Sequence, residues 1–128
     1  MAPPNELKIS RIGQIHVNVH DVTRATEFYR DQLGLKFLFA AGNMAFFDCG
    51  GVRLLLGVGD KPEHQHPSSI LYFHADDIQK AHATMTARGI QFEQKPHFVA
   101  NMGTYDLWIG FFRDSENNMH GIMAEVTK

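Results

Sequence analysis

Two short stretches of the chain carry proton-handling side chains at every second position. Along QIHVNVH, Gln14, His16, Asn18 and His20 alternate with Ile15, Val17 and Val19. Along ILYFHA, Ile70, Tyr72 and His74 alternate with Leu71 and Phe73. Period two is the signature of a half-buried strand, so each stretch predicts one apolar face for the core and one face bearing imidazole, amide or phenol groups. A neutral imidazole can take a proton from carbon beside a carbonyl, and an amide can hold the oxygen while it does so. His16 and His74 are therefore the candidate catalytic bases, with Gln14 or Asn18 as the group that holds oxygen. The plainer reading of the same residues is polar lining for a half-wet cleft.

Strands must be backed by something. After His20, Asp21 can cap a helix through its side-chain oxygen. Val22, Ala25, Phe28, Tyr29 and Leu33 follow at helical spacing, and Gly34 ends the run. That helix would cover the Ile/Val face of the first strand. Leu35–Ala41, Met44–Asp48 and Val52–Gly57 then read as three strands joined at Gly42-Asn43 and Gly50-Gly51. Asp60–Ser69 is a polar linker containing His64 and His66. The pattern restarts with Ile70–Ala75, a helix capped by Asp76 or Asp77 carrying Ile78, Ala81 and Met85, and a stop at Gly89. Ile90–Gln94, Tyr105–Arg113 and Met119–Val126 read as the remaining strands, with Lys95–Thr104 as a long irregular loop of the kind that often carries function. LGLKF and RGIQF close the two helices alike, so the chain predicts an internal duplication: module one over about residues 11–59, a linker over 60–68, and module two over about 69–126. The fold class is α+β, two βαβββ modules whose mixed sheets would line a shared cup.

The chain has 128 residues and a net charge of -2, enough for one domain with a real core and no basic surface for nucleic acid or acidic membranes. Cys49 is alone, so no disulfide framework exists and a reducing, cytoplasmic setting is expected. No apolar run approaches the ~20 residues of a membrane span. MAPPNELK is polar, carries two prolines and lacks an apolar signal core, and reads as a flexible arm over residues 1–10.

VNVHDVTRATEFYRDQLGLKF resembles the opening module of the vicinal oxygen chelate superfamily, which includes glyoxalase I, methylmalonyl-CoA epimerase, extradiol dioxygenases and the bleomycin-resistance proteins. FFRDSENNMHGIMAEV resembles its closing strand, usually written around F-x-D-P-D-G-N. The resemblance implies a cup-shaped sheet, often completed by a second subunit as a homodimer. In metal-dependent members it implies a divalent ion held by His or Gln, Glu or Gln, His, and Glu from the first and last strand of each module. Carried over one position at a time, those ligands fall on Gln14, on Leu54 (with Arg53 as the nearest alternative), on Ile70 and on Gly121. Leucine, isoleucine and glycine have no side-chain donor for a metal, and a lone neutral amide cannot hold a divalent ion. No cofactor is therefore expected at these positions.

By parity, the cup would be lined by Gln14, His16, Asn18, Leu54, Leu56, Ile70, Tyr72, His74, Met119, Gly121 and Met123. Small-molecule sites are usually mostly apolar with a few polar groups of this kind. Trp108 can stack on a planar ligand or belong to the core. His97 and Asp106 flank the long loop and are candidates for the rim. A rival metal set, His20, His74 and Glu125, has the chemistry for zinc, nickel, iron or manganese if the three converge. Three readings follow: a metal-free pocket for a small organic ligand, a glyoxalase-like lyase, isomerase or dioxygenase-type enzyme using an atypical metal or histidine acid–base chemistry, and a non-catalytic dimer module.

Overall fold

The structure, a computed structural model, describes residues 7–59 and 61–128. Most of the expected N-terminal arm and the linker's Asp60 lie outside the described residues. Gln14–Asn18 is β1, and Val22–Glu27 is α1, extended by a wide helical turn over Phe28–Gln32. Lys36–Ala41, Met44–Cys49 and Val52–Gly57 are β2, β3 and β4. After a short helical turn at Pro62–His64 come β5 (Tyr72–His74), α2 (Ile78–Ala87), β6 (Phe92–Asn101), β7 (Tyr105–Arg113) and β8 (Met119–Thr127). Strand, helix and three strands therefore occur twice. Each repeat builds its own four-stranded mixed sheet, ordered β1-β4-β3-β2 and β5-β8-β7-β6.

Local chemistry explains the boundaries. Asp21 and Asp77 each accept a hydrogen bond from the backbone N–H three residues on, at 3.1 Å, satisfying one of the helix's orphan donors. Gly34 (φ +79°) and Gly89 (φ +87°) take the left-handed conformation that turns the chain out of each helix. Val17, Val19, Ala45, Phe47, Leu54 and Leu56 from sheet one meet Ala25, Phe28 and Tyr29 of the first helical segment. Ile78, Met85, Ile90, Phe112, Ile122 and Ala124 continue the same core into the second repeat. Burial of each large apolar side chain contributes roughly 1.5–3 kcal/mol, so this shared core is what holds the polar strand faces in register.

Two expectations are corrected. Leu54 and Leu56 do not line the cup face. β1 and β4 pair in parallel with Ile15 opposite Leu54 and Val17 opposite Leu56, and both leucines are buried in the core. A one-residue slip exchanges the faces of a strand, and here it brings Arg53, Leu55 and Gly57 to the side of Gln14, His16 and Asn18. Nor is Lys95–Thr104 a loop: most of it belongs to β6, a ten-residue strand. The register of β6 against β7 shifts between Phe92 and Gln94, between Gln94 and His97, and between Phe98 and Ala100, and Pro96 sits among these bulges. Those shifts scramble the alternation from which a strand would be read.

Candidate functional site

The polar faces of the two sheets can be built from cross-strand pairs, since directly opposed residues share a face. On sheet one, Gln14, His16 and Asn18 lie opposite Arg53, Leu55 and Gly57, which in turn oppose Asp48, Phe46 and Met44. Phe39 and Ala41 continue the row onto β2. Arg53 Nε donates to Gln14 Oε1 at 2.7 Å, and the guanidinium carbon stands 5.7 Å from the centroid of the Phe46 ring. Phe46 stacks on Phe39, with centroids 4.6 Å apart and planes at 25°. His16 Nε2 lies 3.2 Å from the carbonyl oxygen of Gly57. A Cβ on Gly57 would come within 3.3 Å of that nitrogen, so the missing side chain gives the ring its seat. With the carbonyl as acceptor, the proton sits on Nε2 and Nδ1 is left as the acceptor nitrogen.

On sheet two, Tyr72 opposes Gly121 and His74 opposes Met123, which face Phe111 and Ile109 of β7. The Tyr72 ring lies directly over Gly121: a Cβ there would sit 2.6 Å from ring carbon Cδ2. The same ring makes an edge contact with Phe111, centroids 5.9 Å apart. His74 is exposed, its Nδ1 3.9 Å from Asp76 Oδ1. His97 lies opposite Ile109 and so falls on this face, its Nδ1 turned back to the Lys95 carbonyl at 2.9 Å. Asp106 pairs with Asn101 near the end of β6 and approaches Lys128 Nζ at 3.6 Å.

The remaining candidates are placed differently. Trp108 opposes Ala124 and packs against the core, on the face away from Tyr72 and Gly121. Asn18 is tied to the linker: its N–H donates to Ser68 Oγ at 2.8 Å and its side-chain amide donates to the His66 carbonyl. Its Oδ1 is buried without a hydrogen-bond partner among the described residues. The set His20, His74 and Glu125 is not brought together: no group of three or more His, Cys, Asp or Glu side chains able to hold a metal occurs among the described residues.

The ligand positions that the resemblance implies are Gln14, Leu54 or its alternative Arg53, Ile70 and Gly121, and of Leu54 and Arg53 it is Arg53 that stands opposite Gln14. Arg53 puts a permanent cation where an ion would need a donor, and it already engages the Gln14 oxygen. Tyr72 fills the space a side chain at position 121 would need. These residues do not fit a metal.

A third group escaped sequence reasoning. Tyr29, Asp114 and His120 form a buried network, with the Tyr29 hydroxyl 2.5 Å from Asp114 Oδ2 and 2.8 Å from His120 Nε2. Beside it, Glu116 accepts from the backbone N–H groups of His20 (2.7 Å) and Asp21 (2.9 Å) and from Arg24 Nε (2.7 Å). Burial pushes the Glu116 carboxyl up, but Arg24, those N–H groups and the Ser115 hydroxyl outweigh it and hold its pKa at about 2. Burial likewise opposes ionisation of Asp114, and hydrogen bonds from His120, Tyr29 and Asn118 win, keeping its carboxyl below the ordinary range. The Tyr29 hydroxyl is pushed well up by burial and by the Asp114 charge. The network joins the α1 end of module one to the turn before β8. Its visible signal was the acidic D-x-E of the closing turn, which spacing alone did not connect to Tyr29.

A family model described as Glyoxalase/Bleomycin resistance protein/Dioxygenase superfamily matches residues 11–122. The chain is 27% identical over 123 residues to the uncharacterized protein YraH of Bacillus subtilis (strain 168), covering 85% of this chain and 94% of that one. Among solved structures, a member of the same superfamily from Sphaerobacter thermophilus aligns with a TM-score of 0.75 at 21% identity, covering 91% of this chain and 98% of the other. Lactoylglutathione lyase from Agrobacterium tumefaciens aligns with a TM-score of 0.68 at 23% identity, covering 91% and 95%. At these identities the structural matches speak for the fold.

Proposed function

Since the chain belongs to the glyoxalase/bleomycin resistance protein/dioxygenase superfamily, we propose that it binds a small organic molecule without a metal, in a pocket lined by the polar faces of its two sheets. The observation that carries this reading is the Arg53–Gln14 hydrogen bond at 2.7 Å, which commits the one surviving ligand oxygen to a guanidinium. The two faces offer the mix expected of a ligand site: Phe39, Phe46, Leu55, Tyr72 and Met123 for apolar contact, and Gln14, His16 and Arg53 for orientation. A second copy of the chain as partner would close the site, since Phe39 and Tyr72 are about half exposed.

Thermal unfolding of chelator-treated protein against a panel of neutral and charged aromatic compounds tests this. A ligand that binds only the native state stabilises it by about 2.7 kcal/mol at a hundredfold excess over Kd. A saturable rise in Tm for at least one compound, lost in Tyr72→Ala, is expected. A flat response across the panel would overturn the reading.

A second reading is a glyoxalase-like lyase or isomerase that works by proton transfer. His16 favours it, because the Gly57 carbonyl fixes the ring with Nδ1 as the acceptor nitrogen. Under this reading, His16→Ala abolishes turnover of a carbonyl substrate while the protein stays folded.

A further inference from the structure

The open face of sheet one carries a specific combination: a fixed guanidinium beside a stacked pair of aromatic rings. Arg53 spends Nε on Gln14, and its two terminal nitrogens have no hydrogen-bond acceptor among the described residues. Arg53 borders a hollow of about 480 Å³ that it lines with Arg11, Gly13, Gln14, Leu38, Asp48 and Gly51. Phe39 and Phe46 lie next to it on the same face, stacked, with Phe39 half exposed. The charges around the hollow are Arg53, Arg11 and, across the pair with Asp48, Lys36; Asp48 is the single opposing carboxylate, and its Oδ1 accepts from the Gly51 N–H at 3.3 Å.

We infer that this face recognises a planar aromatic molecule bearing an oxyanion, a carboxylate in the first instance. The inference rests on the pocket reading above and specifies its ligand. The oxyanion pairs with the terminal nitrogens of Arg53, which are preset by the Nε bond to Gln14 and so lose little freedom on binding. The ligand's ring packs against the exposed side of the Phe39–Phe46 stack, where aromatic contact adds to burial. A guanidinium supplies this positive charge without a cofactor. Gln14 acts as a positioning residue, through its hold on Arg53.

The probe pair is 2-naphthoate and its uncharged analogue 2-naphthamide, titrated calorimetrically into the full chain. The acid is expected to bind at least tenfold more tightly than the amide. Arg53→Gln should remove that preference, Arg53→Lys should restore part of it, and the Tm of each variant without ligand reports whether folding is kept. Gln14→Ala should weaken the acid several-fold more than the amide. Equal affinity for acid and amide, or a preference that survives Arg53→Gln, overturns the inference while leaving the pocket reading intact. Binding of neither compound also overturns it, and the wider panel above then decides the pocket reading separately. Phe39→Ser that changes the oligomeric state and leaves naphthoate affinity at the wild-type value assigns the face to a second copy and overturns it too.

Discussion

Gly121 and Tyr72 show how one missing side chain redefines a site. Glycine at position 121 lets an aromatic ring lie flat on the strand, and the ring in turn blocks any side chain there. Gly121→Ala should therefore cost about 1–2 kcal/mol, because overpacking forces Tyr72 off Phe111. Tyr72→Ala in the same chain should recover most of that loss, which urea unfolding of the single and double variants would measure. If Gly121→Ala were neutral in the presence of Tyr72, the close ring packing would be wrong. Gly121 was readable in the sequence as a strand position with no side chain. That a tyrosine two residues past Ile70 fills its place was not, because the contact spans two strands and depends on register.

At the scale of elements, β4 carries the sharpest lesson. Val52–Gly57 is apolar at five of its six positions, counting glycine, so composition gave no alternation to set its faces. Only the partner strand, with Gln14 opposite Arg53, decides that Leu54 goes to the core. Leu54→Ala should destabilise the protein by about 2–5 kcal/mol as a core truncation. Ligand affinity of the folded fraction should stay near wild type; a large selective loss of binding with unchanged stability would restore Leu54 to the lining. The capped helices and the hairpin turns were legible because capping and left-handed glycines act locally. The extension of β6 past Gln94 was not, because register shifts scramble the alternation that marks a strand.

The turn before β8 behaves as a clamp between the repeats. Glu116 has a pKa near 2 in the folded chain, below the ordinary 4.5. A depressed carboxylate contributes stability that is fully present above its unfolded pKa and disappears as pH falls through the folded one. Unfolding free energy should therefore drop between about pH 5 and pH 2, by on the order of 2–3 kcal/mol from this group. Glu116→Gln should flatten that part of the curve and lower stability at pH 7, as urea midpoints across the range would show. Matching pH profiles for the two proteins would mean that the clamp is energetically silent.

For the whole molecule, the duplicated strand–helix–three-strand plan was legible from end to end, because both modules repeat the same caps, stops and alternation. Leu54, which parity puts on the lining, belongs to the core, and Arg53 stands beside Gln14 in its place. The corrected corner strengthens the outcome: a cation replaces a leucine as the neighbour of Gln14. No helix among the described residues is long and apolar enough to cross a membrane. The most direct measurement is calorimetric titration of untagged, chelator-stripped protein with Zn²⁺, Ni²⁺, Mn²⁺ and Fe²⁺. Heats of dilution alone are expected for all four, whereas stoichiometric binding of any one that Gln14→Ala abolishes would contradict a metal-free site.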